Sequence, residues 1–340
     1  MSIVEGKVSA PPKSADGLRS RALEVGRSPR DLQQSGRLIL ATAWLLDAVL
    51  QLQPFMFIRG PDGFSGMLAQ TAAGNPSWIA HSITWNASMV DHHPVLTNSL
   101  FATIQLCLGF GIAWRRTVRA ALVLSVAWSL AVWWFGEGLG AILRGGATPL
   151  GGGPGGVLFY ALIAVLLWPV PSKGEPYIAA RAVGKAAARA IWMFVWMTFA
   201  VLSVVGSGRS PEALRDLVVD MERGEPGWMV RLDRLTEPFM FHHGATTAVL
   251  FAIFCTAVAA GIYLPPRGAR VVLGLVMLVF AAIWIGLQNC GGVLTGTATD
   301  PNSGPAIILL ALMYWPLRDI HQAVPIASHR AAWSTQGSAA

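Results

Sequence analysis

The sequence predicts an all-α polytopic membrane protein, in which eight transmembrane helices form two parallel four-helix repeats with amphipathic segments on the outer face. Composition and repetition lead to this fold class. Hydrophobic residues make up 54% of the 340 residues and charged residues only 13%, whereas a soluble domain carries about 25% charged residues. Long apolar runs recur along the chain, and the chain repeats itself after about 150 residues.

Eight apolar runs suit helices that cross a bilayer, for which about 17 to 25 residues are needed. In chain order, the runs cover 38–58, 93–114, 118–136, 154–171, 188–206, 243–264, 270–287 and 303–318. The fourth and eighth runs are short and are flanked by Gly and Pro. This flanking predicts broken or partly re-entrant backbone at their outer ends, where protein or water must satisfy the freed amides.

The repeat is clearest at the outer ends of the third and seventh spans, where residues 133–148 return as 283–299. Both copies then pass through a Gly-Pro dipeptide, which ends at Pro154 in the first copy and at Pro305 in the second, into an apolar stretch. With four spans in each copy, the two copies must run in the same direction. They are then related by a pseudo-twofold axis along the membrane normal.

The apolar runs divide the chain into five regions. These are a disordered cytoplasmic tail at 1–36, a first four-helix repeat at 37–172, a cytoplasmic linker at 173–187, a second four-helix repeat at 188–320 and a second cytoplasmic tail at 321–340. The first region is polar and rich in Ser, Pro and Arg. It lacks the apolar stretch of a signal peptide, and its composition is typical of disorder.

Lys and Arg set the expected orientation. Most of the 25 Lys and Arg residues lie in the tails and in the loops on one side of the predicted spans, and such residues collect on the cytoplasmic side. We therefore expect a multi-pass protein of the cytoplasmic membrane with both termini in the cytoplasm. The net charge of +7 reflects this bias and attraction to anionic lipid, so the expected partner is the lipid bilayer and not a nucleic acid.

The segments between the first two spans of each copy predict outer lids. In the second copy, residues 210–212 form a helix-start signal, and apolar residues follow at helical spacing, at Leu214, Leu217, Val218 and Met221. The first copy has a comparable apolar set, made of Phe64, Met67, Leu68, Trp78, Ile79 and Trp85. Two interpretations are open: an interfacial aromatic belt, common in membrane proteins, or a cover over a substrate-binding site.

Two histidine pairs occupy equivalent positions at the outer ends of the second and sixth spans. They are His92-His93 and His242-His243, with Met89 and Met240 just upstream. Imidazole with thioether suits copper, and imidazole alone suits zinc, iron or haem, so copper or haem is a candidate cofactor of a site that both copies form. Two other interpretations stay open: interfacial polar residues near a first helical turn, or a proton or substrate contact.

A second matched feature is a Trp-x-x-x-Glu/Gln motif at the outer ends of spans three and seven. Glu137 stands in one copy and Gln288 in the other, each before a Gly-rich turn. An ionisable residue at the end of a span is a candidate functional residue, but the change to Gln argues against a symmetric acid-base pair. Both residues can form hydrogen bonds, so they either orient a ligand as binding residues or close the turn.

Asp47 is the only acid within the early spans, and Gln51 and Gln53 follow it. An acid in a membrane span usually faces the bundle interior or an ion path. The second copy has the uncharged stretch 196–199 at the matching place. Asp47 therefore indicates a binding site that belongs to the first repeat alone, with a single interhelical hydrogen bond as the alternative.

The stretch 106–122, Leu-Cys-Leu-Gly-Phe-Gly-Ile-Ala-Trp-Arg-Arg-Thr-Val-Arg-Ala-Ala-Leu, resembles the junction between the second and third spans of the DoxX-like four-helix membrane proteins. Residues 260–270 resemble it less closely, and the order of segments within each copy is similar too. The resemblance implies a tandem DoxX-like protein. By analogy with that family, it would be a membrane subunit near electron-transfer or thiol-stress chemistry.

No sequence motif assigns an enzyme activity. The chain lacks a phosphate-binding GxxxxGK[ST] loop, a GxSxG nucleophile elbow and an HExxH zinc motif, and its three cysteines form no CxxC pair. We therefore expect a non-enzymatic or accessory protein whose outer-face site binds a metal, or a redox partner in the membrane or outside the cytoplasm. The alternatives are a transporter of a small solute or ion that uses Asp47, and a scaffold subunit of a larger membrane complex.

Overall fold

A computed structural model describes residues 29–170, 174–206, 210, 215–216 and 224–317. Every regular element in these ranges is helical. The helices are α1 Pro29–Leu50, α2 Phe64–Thr71, α3 Ser77–His92, α4 Pro94–Ala113, α5 Val118–Phe135, α6 Gly156–Leu166, α7 Ile178–Val183, α8 Lys185–Val204, α9 Gly227–Gly261, α10 Pro266–Gly286 and α11 Ser303–Met313. Short 3-10 turns occur at Pro54–Phe57, Gly138–Ala141, Pro149–Gly151 and Asn289–Gly292.

Five of the described helices, α4, α5, α8, α9 and α10, are long and apolar enough to cross a membrane. Large apolar side chains also cover their outward faces, where Phe110, Phe194, Val271 and Leu278 are between 63% and 73% exposed. Extended apolar surface of this kind is typical of contact with lipid. The prediction of an all-helical membrane protein in a lipid environment is therefore confirmed at this level.

Each half of the chain contributes two packed helix pairs. In the first half α1 packs on α4 and α5 packs on α6, and in the second half α8 packs on α9 and α10 packs on α11. The short helices α6 and α11 contact each other and bury most of their residues. A helix that is apolar on all sides belongs in an interior, so α6 and α11 form the centre of the core.

The helix is broken at the first histidine pair and continuous at the second. Pro94 opens α4, and His93 before it leaves the helical region, with φ −130° and ψ 54°, because proline lacks an N–H and restricts the preceding residue. At the matching place in the second half, Gly244 keeps its N–H. The chain there is one continuous helix of 35 residues, α9, so the span predicted at 243–264 begins earlier, at Gly227.

Other predicted boundaries also differ from the structure. The first span, predicted at 38–58, is α1, which both begins and ends earlier, so the end of the predicted tail at 1–36 is helical. α1 ends early because Pro54 begins a separate 3-10 turn. The predicted linker at 173–187 contains α7 and the start of α8. Outside the described residues lie most of the first tail, the second tail and the amphipathic residues Leu214, Leu217, Val218 and Met221.

Residues 54–71, which we call the lid, fold over α3. Met56, Phe64 and Leu68 of the lid form a buried apolar cluster with α3. Phe101 of α4 packs against the same cluster. The lid is therefore a packed part of the fold and not a loop in solvent.

A carboxylate at the end of α3 ties the lid in place. Asp91 Oδ1 accepts hydrogen bonds from the Gly60 N–H at 2.6 Å and from the Ser65 hydroxyl at 2.8 Å. These bonds, the one from Gly60 first, lower the pKa of Asp91 below its usual value because they favour the ionised carboxylate. The ionised form of Asp91 therefore holds the lid closed.

We expect Asp91→Ala to speed tryptic cleavage after Arg59 several-fold. The substitution removes both hydrogen bonds to the lid, and the side chain of Arg59 is already exposed. Asp91→Asn keeps an acceptor oxygen and is expected to restore most of the protection. Limited proteolysis of the purified protein measures the rates, and equal rates for all three proteins would contradict the role of Asp91.

Candidate functional site

Two Gly-rich turns follow α5 and α10 and reverse the chain through the left-handed region. In the first turn, Leu139 and Gly140 have φ of 56° and 59°, and in the second, Cys290 and Gly291 have φ of 54° and 71°. Such a φ costs a residue other than glycine about 1 to 3 kcal/mol and persists only where the surroundings enforce it. Gly140 is required as well, because a Cβ there would clash with the Pro154 carbonyl oxygen.

A tryptophan ring closes each turn. Trp133 Nε1 donates to the Pro154 carbonyl oxygen at 2.6 Å, and Trp284 Nε1 donates to the Pro301 carbonyl oxygen at 2.7 Å. In the second turn Pro301 thus accepts the bond that Pro154 accepts in the first, whereas the Gly-Pro dipeptides pair Pro154 with Pro305. The two bonds close connections of different length, 21 residues in the first turn and 17 in the second, so equal dipeptides fall at different places.

Glu137 and Gln288 both close their turns, but only Glu137 keeps an unused oxygen. Glu137 Oε1 accepts the Val157 N–H at 3.4 Å, and Gln288 Oε1 accepts the Gly304 N–H at 3.2 Å. Gln288 also donates to the Ser303 hydroxyl at 3.1 Å. Among the described residues, none donates a hydrogen bond to Glu137 Oε2. Both polar atoms of the Gln288 side chain therefore form hydrogen bonds within the fold, whereas Glu137 Oε2 is available to a ligand.

Glu137 faces a cavity of about 170 Å³ between α1, α4, α5 and the lid. The polar residues that line it are Asp47, Gln51, Asn86, Gln105, Glu137, Thr299 and Asp300. Its aromatic residues are Trp44, Phe64, Phe101, Trp128 and Phe135. Two residues predicted as binding residues, Asp47 and Glu137, therefore meet at one cavity, which we call the inner cavity, and Gln288 does not line it.

Four buried polar atoms at the inner cavity have no hydrogen-bond partner within the described part of the chain. They are Asp47 Oδ1, Gln105 Oε1, Trp128 Nε1 and Glu137 Oε2. A buried polar atom left without a partner costs about 1 to 3 kcal/mol, so folded proteins usually pair such atoms with water or a ligand. Convergence of these atoms on one largely apolar cavity is typical of a ligand-binding site.

A second cavity, of about 440 Å³, lies between the two Gly-rich turns. We call it the outer cavity. Met67, Glu137, Thr299 and Asp300 line both cavities, so the two spaces meet at these residues. Glycines of both turns border much of the outer cavity. The outer cavity therefore adjoins the inner cavity, which Asp47 lines.

Burial changes the acidity of the two carboxyl groups where the cavities meet. Desolvation first, and then the charge of Asp300, raise the pKa of Glu137 from 4.5 to about 8. Desolvation also raises the pKa of Asp300. Hydrogen bonds from the Thr299 hydroxyl and the Asn302 N–H act in the opposite direction, but the effect of desolvation is larger. At neutral pH Glu137 is therefore mostly protonated unless a positive charge binds beside it.

The two interpretations of the outer aromatic residues apply to different residues. Phe64, Met67 and Leu68 of the lid line the inner cavity, as a cover over a binding site does. Trp78 and Trp85 of α3 are 59% and 60% exposed, as in an interfacial belt. The lid therefore covers the cavity, while the tryptophans of α3 face outward.

The histidine pairs do not line either cavity, and all four rings are exposed. His92 Nδ1 lies 2.7 Å from the Ser88 carbonyl oxygen, and His242 Nδ1 lies 2.7 Å from the Pro238 carbonyl oxygen. Met240 packs in the core instead. The described residues contain no group of three or more His, Cys, Asp or Glu placed to hold a metal. Copper or haem binding stays a prediction, which metal analysis and the absorbance spectrum of the purified protein test.

No family model, no curated protein and no solved structure matches this chain. The resemblance of one junction to the DoxX-like proteins therefore stays a prediction.

The sequence analysis did not select three residues that line the inner cavity, Asp300, Gln105 and Trp128. Asp300 could have been selected, because it is an acid in a turn beside a predicted span, as Glu137 is. Gln105 and Trp128 lie within apolar runs, where one polar or aromatic residue looks like an ordinary packing residue. Only the packing of α4 against α5 brings them together.

We expect the protein to lose stability as the pH rises, and Glu137→Gln to weaken this dependence. A carboxyl group whose pKa is raised by folding stabilises the folded state fully below its unfolded pKa, here 4.5, and this contribution is lost as the pH rises through the folded pKa of about 8. Thermal unfolding in detergent between about pH 5 and pH 9 measures the slope. Asp62→Asn, at an exposed acid, is the control, and an unchanged slope in Glu137→Gln would contradict the raised pKa.

Proposed function

We propose that this protein takes a small organic cation into the inner cavity from the outer side and carries it across the cytoplasmic membrane. One observation carries the proposal: the carboxyl groups of Asp47, Glu137 and Asp300 share a buried, aromatic-lined cavity. No Lys, Arg or His is among the described residues that line it. Such a cavity suits a positively charged ligand with apolar substituents.

The proposed architecture has eight spans. α1, α6 and α11 join the five long apolar helices, as the eight apolar runs of the sequence predict. α6 and α11 have 11 residues each, or a length of about 16 Å, so the Gly-rich turns complete their passage inside the protein, where irregular backbone is tolerated. The positive-inside rule then places both termini in the cytoplasm and the Gly-rich turns at the outer ends of the spans.

The two halves are, on this proposal, copies of one four-helix module that have diverged. The left-handed turns and the matched tryptophan bonds of α5 and α10 support the correspondence. In it, Phe199 takes the place of Asp47. The rings of Trp196, Phe199 and Phe280 lie 5.5 to 6.0 Å apart and fill the space that is a cavity in the first copy. The binding site therefore belongs to the first copy, completed by Asp300 from the second.

The chemistry of the lining favours an organic cation over a metal ion. A hard metal ion needs several oxygen ligands in a fixed arrangement, and the described residues contain no group of three or more His, Cys, Asp or Glu placed to hold one. An ammonium ion needs only nearby negative charge and aromatic faces, such as those of Trp44 and Trp128, and a desolvated contact of this kind contributes about 2 kcal/mol. Arg144, which lines only the outer cavity, lies on the entry side.

The volume of the inner cavity limits the ligand to a small molecule. An engineered apolar cavity of about 150 Å³ in another protein binds benzene, and the inner cavity has about 170 Å³. A quaternary ammonium ion with a few carbon atoms has a similar size. Larger substituents would have to extend into the outer cavity.

The depth of the inner cavity supports transport. Gln105 is the twelfth of the 20 residues of α4, so the floor of the cavity lies near the middle of a span. Substrate sites of secondary transporters lie near the midplane of the bilayer. Further along the same helices, Leu40, Leu108 and Leu122 are at most 3% exposed and close the way to the other end. Transport then requires this apolar layer to open.

We expect choline to bind the purified protein at least about tenfold more tightly than its neutral isostere 3,3-dimethylbutan-1-ol, because only choline carries the charge. Asp47→Asn and Trp128→Leu are each expected to weaken choline binding by about tenfold or more, through loss of a charge or of a cation–π contact. Titration calorimetry in detergent measures both effects.

The matched controls are Asp62→Asn and Trp85→Leu, which change an exposed acid and an exposed tryptophan and are expected to leave binding unchanged. Equal affinity for choline and its isostere would contradict the cation site. If sodium chloride released heat on binding and choline did not, the ligand would be an inorganic cation and not an organic one.

Flux is expected to follow the ionisation of Glu137. Uptake of labelled choline by proteoliposomes is predicted to rise as the outside pH increases through the pKa of Glu137, about 8, because the ionised carboxylate attracts the cation. Glu137→Gln is expected to lower uptake and to remove this dependence. Tight binding without flux in the unmodified protein would contradict transport while leaving the binding site in place.

A further inference from the structure

Four arginines line a cavity at the end of the bundle opposite the Gly-rich turns. The cavity has a volume of about 410 Å³. Its arginines are Arg37, Arg115, Arg119 and Arg181. They come from different segments of the chain, namely α1, the connection from α4 to α5, α5 itself and α7. No Asp or Glu occurs among the described residues that line this cavity.

The walls of the arginine-lined cavity are held by side chains of α1. Gln33 Nε2 donates to the Trp168 carbonyl oxygen at 3.0 Å, and Arg37 Nε donates to the Leu167 carbonyl oxygen at 3.2 Å. A guanidinium group carries five N–H donors, so this bond leaves further donors of Arg37 for a ligand. The position of Arg37 is thereby fixed before any ligand arrives.

The four arginines differ in depth. Arg181 is only 9% exposed and Arg37 is half-buried, whereas Arg115 and Arg119 are exposed. A buried guanidinium is less screened by water, so it attracts an anion inside the cavity more strongly than an exposed one does. The cavity therefore has a positively charged floor and a positively charged rim.

We propose that this cavity binds the phosphate group of an anionic phospholipid. Guanidinium groups match phosphate oxygens through forked, charge-assisted hydrogen bonds. A lipid is favoured over free phosphate because apolar side chains are exposed at the same ends of α1 and α4: Leu38 by 44%, Phe110 by 63% and Trp114 by 61%. Acyl chains can follow this surface while the headgroup lies among the arginines.

The general excess of basic residues at this end does not by itself produce such a cavity. Arg116 lies between Arg115 and Arg119 in the sequence and does not line it, while Arg181 is distant in sequence and does. The positive-inside rule predicts on which side of the membrane Lys and Arg residues lie. It does not predict that side chains from several segments line one cavity. Arg116 is therefore the matched control for the arginines of the cavity.

Native mass spectrometry of the full chain, purified in detergent and incubated with phosphatidylglycerol or phosphatidylcholine, tests the proposal. We expect phosphatidylglycerol to bind at least about tenfold more tightly. The double variant Arg37→Gln/Arg181→Gln is expected to lose at least about 25-fold in affinity for phosphatidylglycerol, because an arginine near the surface contributes about fivefold and a buried one contributes more. Arg116→Gln is expected to keep the preference of the unmodified protein.

A second double variant, Arg115→Gln/Arg119→Gln, changes only exposed side chains and tests the site even if the buried change impairs folding. It is expected to weaken phosphatidylglycerol binding in the same direction. Equal binding of the two lipids, or retention of phosphatidylglycerol by both double variants, would overturn the proposal. Inorganic phosphate that displaces the lipid at equal concentration would show a site for free phosphate instead.

Discussion

The hydrogen bond from the Trp133 indole to the Pro154 carbonyl oxygen, 2.6 Å long, holds the first Gly-rich turn closed. A chain that reverses inside an apolar bundle leaves backbone groups that no helix pairs, and such groups are costly when buried. The indole satisfies one of them and sets where α6 starts. With α6 in that place, Glu137 accepts the Val157 N–H and keeps its other oxygen at the inner cavity, so both cavities on this side depend on that closure.

The two halves of the bundle contain the same kind of turn, but the polar residue in it has a different role in each half. Gln288 forms hydrogen bonds with backbone groups and with Ser303, and the rings of Phe199 and Phe280 stack on each other. In the first half the inner cavity stays open, and acids and amides border it. Close packing in one half stabilises the bundle without a ligand. The other half retains buried carboxyl groups, which cost stability and are candidate functional residues for that reason.

Charge is distributed in opposite signs at the two ends. Asp47, Glu137 and Asp300 border the inner cavity below the Gly-rich turns, and four arginines border the cavity at the other end. Apolar side chains of the core separate the two. Burial of Asp47 and of Arg181 strengthens their attraction for ligands of the opposite charge, relative to the same groups in water. The proposed cation and the proposed phospholipid headgroup therefore occupy separate sites with separate chemistry.

Local properties of the sequence determined the helical membrane class, the matched turn motifs, and the candidacy of Asp47 and Glu137. Composition, and a single acid in or beside an apolar run, can be recognised without knowing which residues are in contact in the folded chain. The tertiary structure decided that Asp300 and Gln105 join those acids, that Met240 packs in the core while His242 is exposed, and that Pro301 accepts the second indole bond as Pro154 accepts the first. These outcomes depend on which helix faces are buried against each other and on how long each turn is. Periodicity does not encode such contacts, because they join residues far apart in the chain.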